Sequence, residues 1–270
     1  MTTDIRRELV VVPGKSAHLD RIDPRDASLV GDKEEARERL AADVEAIADL
    51  QERLYAERSR ALLVILQGMD TAGKDSTIRA VFNTTGPSGV IVTPFGRPSP
   101  EELAHDFLWR VHKVCPPRGT IGVFNRSHYE DVLAGRVRKL VSKDVIKHRY
   151  DQINQFESLI SSSTHILKIM LHISKDEQRE RLQARLDDPE KHWKFDPGDL
   201  EDRKLWDEYM EAYETVLTDC STEAARWYVV PSDRKWARNA MVAALVRVTL
   251  EDMDPRYPKV DWKASDFEVR

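Results

Sequence analysis

Cysteine is nearly absent from the 270 residues. Cys115 and Cys220 form no motif with each other or with histidine, so they read as reduced thiols filling the core, and a disulfide framework is set aside. No stretch approaches the roughly 20 apolar residues that cross a bilayer, and Met1-Thr2-Thr3-Asp4-Ile5-Arg6-Arg7 lacks the apolar segment of a secretory leader. The expected location is the cytoplasm, with no membrane partner. A net charge of −5 gives no global basic field, so nucleic acid is not an expected partner and any polyanion must meet a local basic patch. His128, His165, His172 and His192 show no metal-ligand spacing, no nucleophilic triad pattern occurs, and neither an internal repeat nor a low-complexity segment is visible.

What the chain does contain is a strong phosphate-loop pattern. Ala61 to Gln67 is a short apolar run rich in branched residues, which reads as a buried parallel strand, and a helix begins near Lys74. Between them Gly68, Met69, Asp70, Thr71, Ala72, Gly73 and Lys74 keep the spacing Gly-x-x-x-x-Gly-Lys, so backbone N–H groups can point at an anion while Lys74 reaches its outer oxygens. Asp75 stands where a Ser or Thr hydroxyl normally holds Mg²⁺, and Ser76 comes one place late. Asp70 puts a carboxylate inside the cradle, and two unit charges about 4 Å apart at an effective dielectric of about 20 cost roughly 4 kcal/mol. A divalent cation between them reverses the sign, which makes Asp70 a Mg²⁺ ligand, directly or through water. The plain alternative is that Asp70 caps the Lys74 helix.

The length fits one domain with a large core. Residues 1–31 read as an irregular arm punctuated by Pro13, Gly14, Pro24 and Gly31, residues 32–254 as the domain, and 255–270 as a tail. From Asp32 a helix runs to about Arg58, with Leu40, Val44, Ile47, Leu50 and Leu54 on a stripe for the core or a partner subunit. Further strands are expected at Val90–Thr93, Thr120–Phe124, His165–Ile173 and Trp227–Pro231. Helices are expected from Ser99 through Leu103, Phe107, Leu108 and Val111, around Val145 to Ile160, from Ser174 to Asp187, after Gly198, and from Trp236 to Leu250. Strands alternating with helices imply an α/β three-layer sandwich on a mainly parallel sheet of about five strands. Right-handed crossovers bring Gly68, Phe95, Asn125 and Ser174 to one crevice.

Two further segments carry chemistry. Asn125-Arg126-Ser127-His128-Tyr129-Glu130-Asp131 follows the third strand. Asn125 stands where a metal-directing acid is common and can orient a Mg²⁺-bound water, while the Arg126 fork faces phosphate. The alternative for Arg126 is an ion pair with Asp131 or Glu130. Arg136 adds positive charge downstream. Arg181 and Arg185 share a face of a charged helix, and residues 175–200 read either as a lid bringing cations over a transferring phosphoryl group or as a solvated helix.

Taken in order, Gly68-Met69-Asp70-x-x-Gly73-Lys74-Asp75, Phe124-Asn125-Arg126-Ser127-His128-Tyr129-Glu130-Asp131-Val132 and Leu186-Asp187-Asp188-Pro189-Glu190-Lys191-x-Trp193-Lys194-Phe195 resemble the type-2 polyphosphate kinases, over most of the chain from about Asp32 through Trp236. The resemblance implies a thymidylate-kinase-like phosphate-loop fold with a helical lid. It implies Mg²⁺ dependence, with Mn²⁺ as a substitute, and phosphoryl transfer between inorganic polyphosphate and AMP or ADP to give ADP or ATP. Roles for Asp70, Lys74, Arg126, Arg136 and the lid arginines, and a homo-oligomer (dimer or tetramer), are implied too. Many relatives carry Asp at Asn125. His128-Tyr129-Glu130-Asp131 resembles the subgroup accepting both AMP and ADP, whereas Trp-Tyr-Asn marks ADP-specific members, so Glu130 is expected to set acceptor choice, for instance by orienting Arg136. Competing readings are an ATP-dependent nucleoside monophosphate kinase and a phosphate-binding regulatory module.

Overall fold

The sheet is built outward from β2 (Ala61–Gln67), buried along its whole length because it is hydrogen-bonded on both sides. The computed structural model describes residues 5–263, 265 and 267–269. The first four positions of the expected arm, and positions 264, 266 and 270 of the expected tail, lie outside the described residues. In chain order the strands are β1 (Val10–Val11), β2, β3 (Val90–Pro94), β4 (Ile121–Asn125), β5 (Thr164–His172) and β6 (Trp227–Pro231). The helices are α1 (Ile5–Leu9), α2 (Lys33–Glu57), α3 (Lys74–Phe82), α4 (Pro100–Leu103), α5 (Trp109–His112), α6 (Glu130–Val137), α7 (Lys143–Ile160), α8 (Lys175–Leu186), α9 (Pro197–Lys204), α10 (Trp206–Asp219) and α11 (Lys235–Met253), with 3₁₀ turns at Leu19–Arg21 and Pro189–Lys194.

Strand order is β1-β6-β5-β2-β4-β3, parallel throughout except for β1. The register sets Leu66 beside Asn125 and Gln67 beside Met170, while Pro94 pairs with Asn125 and His172 with Pro231. All five parallel strands therefore end at one edge, where the chain direction of a doubly wound sheet gathers ligand-binding loops. The chain leaves β2 toward β4 and β3 but leaves β4 toward β5 on the other side of β2. Right-handed crossovers therefore put α2, α3 and α11 together on one face and α6, α7 and α10 on the other.

Two expectations are corrected and one is extended. The sheet has the expected five parallel strands and a sixth: the arm supplies β1, which pairs Val10 with Tyr228 and Val11 with Trp227. Two residues are too few to show an alternation, and their partner lies more than two hundred positions away. The helix expected from Ser99 through Val111 is two single turns. A capping box between Ser99 and Glu102 starts α4, but the Asp106 carboxylate accepts from the Leu108 amide (3.0 Å) and turns the chain before α5. Nor is every strand covered on both faces, since β3 is an edge and leaves Ile91 and Val92 exposed.

The stripe of α2 is core: Val44, Ile47 and Leu54 are buried, and the helix lies along α11. Its start is fixed by Asp32, whose carboxylate accepts from the amides of Glu34 (2.8 Å) and Glu35 (3.0 Å). Asp32→Ala removes that cap and is expected to lower the unfolding free energy by about 1 kcal/mol, measured by urea denaturation at neutral pH. An unchanged midpoint would show that tertiary packing alone holds the helix start.

Candidate active site

Gly68 leaves β2 at φ +148°, where a β-carbon would stand 2.6 Å from the Leu171 carbonyl oxygen, so the turn requires glycine. Gly73, at φ +108°, precedes α3, and a β-carbon there would overlap the Arg238 guanidinium. Between these glycines every carbonyl is taken by a donor. Lys74 Nζ donates to Gly68 O (2.8 Å) and Met69 O (3.3 Å), and Gln178 Nε2 donates to Asp70 O (3.2 Å). Arg181 Nη1 donates to Thr71 O (2.9 Å) and Ala72 O (3.2 Å), and Arg238 Nη1 also donates to Ala72 O (2.9 Å). Gly73 O accepts from Ser76 Oγ (2.9 Å). Because C=O and N–H point opposite ways across a peptide, fixing the carbonyls turns the amide side of the loop toward the cleft.

Lys74 is buried, and burial first, then the Arg126 charge, brings its ammonium down to about 8 against the pull of Asp70, Glu130 and Asp75. Asp70 forms an ion pair with Arg126, and Arg126 Nη1 lies 3.6 Å from Glu130 Oε2. Burial works against the Arg126 charge, but the Glu130 and Asp70 carboxylates outweigh it and raise Arg126 above the usual arginine value. Burial pushes the Glu130 carboxyl up, with Arg126 and Lys74 opposing. With its amide oriented to satisfy both neighbours, Gln67 donates to Glu130 Oε1 (3.1 Å) and accepts from the Ser127 amide (3.2 Å).

These contacts revise several expected roles. Arg126 pairs with Asp70 and Glu130, not with Asp131, which lies 3.3 Å from Arg110 and 3.8 Å from Arg149. The arginine beside Glu130 is Arg126 rather than Arg136. Arg136 points from the other side of α6 to Thr215 Oγ1 (2.7 Å), 3.9 Å from Glu211, and lines clefts that do not include the loop. Asn125 Nδ2 donates to Asp75 Oδ1 (2.6 Å), and Ser76 Oγ accepts from Arg238 Nη2 (2.9 Å). His128 and Tyr129 are wholly buried beneath the site.

The helix α8 is docked on the loop rather than solvated along its length. Ser174 caps it and is itself held by Asp233, while Gln178 and Leu182 are buried. Arg181 reaches Ser232 O and Asp233 O (2.8 Å each) besides the loop carbonyls, so it braces the backbone. Arg185 donates to Lys194 O (2.8 Å) and Asp199 Oδ2 (3.2 Å), fastening the following turn and α9. Burial and the Asp70 charge raise the Asp199 carboxyl to about 6, so the Arg185–Asp199 pair weakens as pH falls through that value.

A cleft of about 430 Å³ opens in front of the loop. Among the described residues, Lys74, Arg79, Arg126, Arg181, Arg185, Lys191, Lys194, Lys235 and Arg238 line it, against two acids, Asp70 and Asp75. Positive charge is thus concentrated in one cleft of a chain whose net charge is −5. Lys235, Arg238, Gln178 and Asp199 escape sequence reasoning. The sequence does hold a signal for the first two. They open the helix that follows the last strand, and that strand ends at the same sheet edge as β2.

The family profile described as Polyphosphate kinase 2 matches residues 30–258. A protein of Meiothermus ruber named AMP/ADP-polyphosphate phosphotransferase is 52% identical over 92% of this chain and 94% of its own. A Rhodopseudomonas palustris protein named ADP-polyphosphate phosphotransferase is 45% identical over 84% of this chain and 83% of its own. The crystal structure of polyphosphate kinase 2 from Arthrobacter aurescens TC1 superposes with a TM-score of 0.94 at 42% identity, covering 98% of this chain and 95% of that one. With the phosphate loop, the Arg126 turn and the docked α8 in place, and relatives matched along nearly their whole length, this chain belongs to the polyphosphate kinase 2 family.

Proposed function

We propose that this protein is a polyphosphate:nucleotide phosphotransferase that moves a phosphoryl group reversibly between inorganic polyphosphate and AMP or ADP, giving ADP or ATP. The observation that carries this reading is the cleft itself, in which a phosphate loop and a concentration of cations face one another inside a chain of net charge −5. Phosphoryl transfer asks the protein for positioning and charge neutralisation more than for covalent chemistry. Lys74 and Arg126 meet the phosphoryl group in flight and its neighbours, the loop amides cradle the donor, and Lys191, Lys194 and Lys235 hold the chain beyond. A regulatory module that only binds phosphate would have no use for cations on every side of the transferring group.

The donor set fits a hard cation. Among the described residues no three His, Cys, Asp or Glu side chains come together as a cage. One or two carboxylates beside phosphate oxygens is the arrangement Mg²⁺ favours, since it keeps several waters. Asp70 would hold the ion, Mg²⁺ or Mn²⁺, which when bound neutralises phosphate charge. The Arg126 pair orients the Asp70 carboxylate at the mouth of the loop.

Pure protein incubated with AMP, Mg²⁺ and long-chain polyphosphate, with no ATP supplied, is expected to produce ADP and then ATP. Asp70→Asn and Lys74→Ala are expected to fold and to lose activity by two orders of magnitude or more, a loss of at least about 2.7 kcal/mol in transition-state stabilisation. No nucleotide product from the native protein would return the ATP-dependent kinase as the better reading, and near-native activity of Asp70→Asn at low Mg²⁺ would remove the metal role.

The pH dependence follows from Lys74. Only the protonated ammonium attracts phosphate, and in the free enzyme it titrates near 8. The kcat/KM for polyphosphate is therefore expected to be level below pH 8 and to fall above it, and a profile level to pH 9.5 would contradict the burial assigned to Lys74.

Glu130 tests acceptor choice. Glu130→Asn removes a carboxylate from beside Arg126, and the ratio of kcat/KM for ADP to that for AMP is expected to rise. Equal slowing with both acceptors would make Glu130 a partner of Arg126 and nothing more.

A further inference from the structure

Directly after Arg126 the chain dives into the core. Ser127, His128 and Tyr129 are all fully buried, and Glu130 opens α6. Arg126 itself sits at φ +63°. An arginine gains nothing locally from that left-handed conformation, so the surroundings must impose it. On the sheet side its amide donates to Leu66 O (3.0 Å), which keeps it in the ladder one position past β4. On the core side the next two residues but one are bolted to a single carboxylate. Glu157 of α7 accepts from the Tyr129 hydroxyl at Oε1 (2.8 Å), and the same oxygen lies 3.2 Å from His128 Nε2.

Lys168, in the middle of β5, completes the cluster. Its Nζ donates to Glu157 Oε2 (2.5 Å), to the Tyr129 hydroxyl (2.9 Å) and to Cys220 O (2.6 Å), and it lies 5.3 Å from the centres of the Tyr129 and Trp227 rings. Glu157, Lys168 and His128 are fully buried, as is Tyr129. Burial alone would raise the Glu157 carboxyl, but the Lys168 charge and the His128 contact outweigh it and hold it below its ordinary range. A buried ion pair is a poor source of stability, because apolar side chains of similar volume fill such a space without the desolvation cost. What it provides here is direction: the Glu157 carboxylate and the Lys168 ammonium each meet several partners, and such a network admits few arrangements of the groups it joins, although His128 Nδ1 has no hydrogen-bond partner among the described residues.

We propose that Tyr129 and Glu157, with Lys168, are positioning residues for phosphoryl transfer. They clamp the turn that holds Arg126 in its left-handed conformation and thereby aim its guanidinium at Asp70 and the transferring phosphoryl group, without touching substrate. The inference rests on the phosphate-facing role given to Arg126 above.

Tyr129→Phe is the lead variant, since it keeps the ring edge-on to Trp227 (4.8 Å between centroids) and deletes only the hydroxyl. Glu157→Gln is less suitable because it leaves Lys168 buried without its counter-charge. With AMP and polyphosphate, Tyr129→Phe is expected to lower kcat about ten-fold while both KM values stay within two-fold, because a misaimed arginine still attracts the polyanion. In an Arg126→Ala background the same substitution is expected to change kcat less than two-fold, since there is no longer a guanidinium to aim. An unchanged kcat for Tyr129→Phe, or an equal fractional loss in both backgrounds, overturns the positioning role and leaves the network a structural one. Native kcat in Arg126→Ala alone overturns the role of Arg126 and this inference with it, so the two failures are read separately from one cycle.

Discussion

The carbonyl groups of the phosphate loop are the constraint on which the site depends. A loop that offers its amides to an anion must turn its carbonyls elsewhere, and a carbonyl without a donor away from water costs free energy comparable to a lost hydrogen bond. Here the donors come from three separate elements: Lys74 from α3, Gln178 and Arg181 from α8, and Arg238 from α11. The loop is thus the point at which the helices after β2, β5 and β6 are tied together, and α8 cannot leave without uncovering the carbonyls of Asp70 and Thr71. Docking of α8 and integrity of the loop are therefore linked.

The same donors settle the electrostatics. Most of the positive charge sits on side chains that are themselves buried or half-buried, so it is screened little by solvent. It also raises the cost of each charge, which is why burial pulls Lys74 toward neutrality and why Arg238, buried with carbonyl and hydroxyl partners, is brought down to about 9 by burial and by the Arg181 charge. Arg126 moves in the opposite direction because the Glu130 and Asp70 carboxylates outweigh the cost of its burial, whereas the carboxylates near Lys74 do not. The cations of the cleft thus differ in how firmly they hold their charge, with Arg126 held charged and Lys74 brought closer to neutrality.

Much of the fold was legible in the sequence. Branched apolar runs of five to nine residues separated by 3.6-period segments can hardly be anything but strands and helices of a doubly wound sheet. The loop spacing fixed which strand sits at the centre of the chemistry, and the crossover rule then placed Gly68, Phe95, Asn125 and Ser174 at one edge, as the register confirms. Where the reading went astray, one deciding contact lay far along the chain and the other only two residues away. The strand β1 exists because Trp227 and Tyr228 offer it an edge, and α4 and α5 are separate because one Asp106 side chain outcompetes a helical hydrogen bond.

Periodicity, turn chemistry and motif spacing are local properties of the chain, and they determined the strands, the loop and the residues that could carry charge. Which of those charges meet was decided by packing. Glu130 lies beside Arg126 because it opens α6 four positions further on, while Arg136, six positions beyond Glu130, has rotated to the face that packs on α10. Arg181 and Arg185 share a face in sequence, yet one braces loop carbonyls and the other pairs with Asp199 of α9. A helix fixes the angle between its own side chains, but the neighbour each one finds depends on where the sheet, the loop and the adjoining helices stand in space, and that follows only from the burial of the whole core.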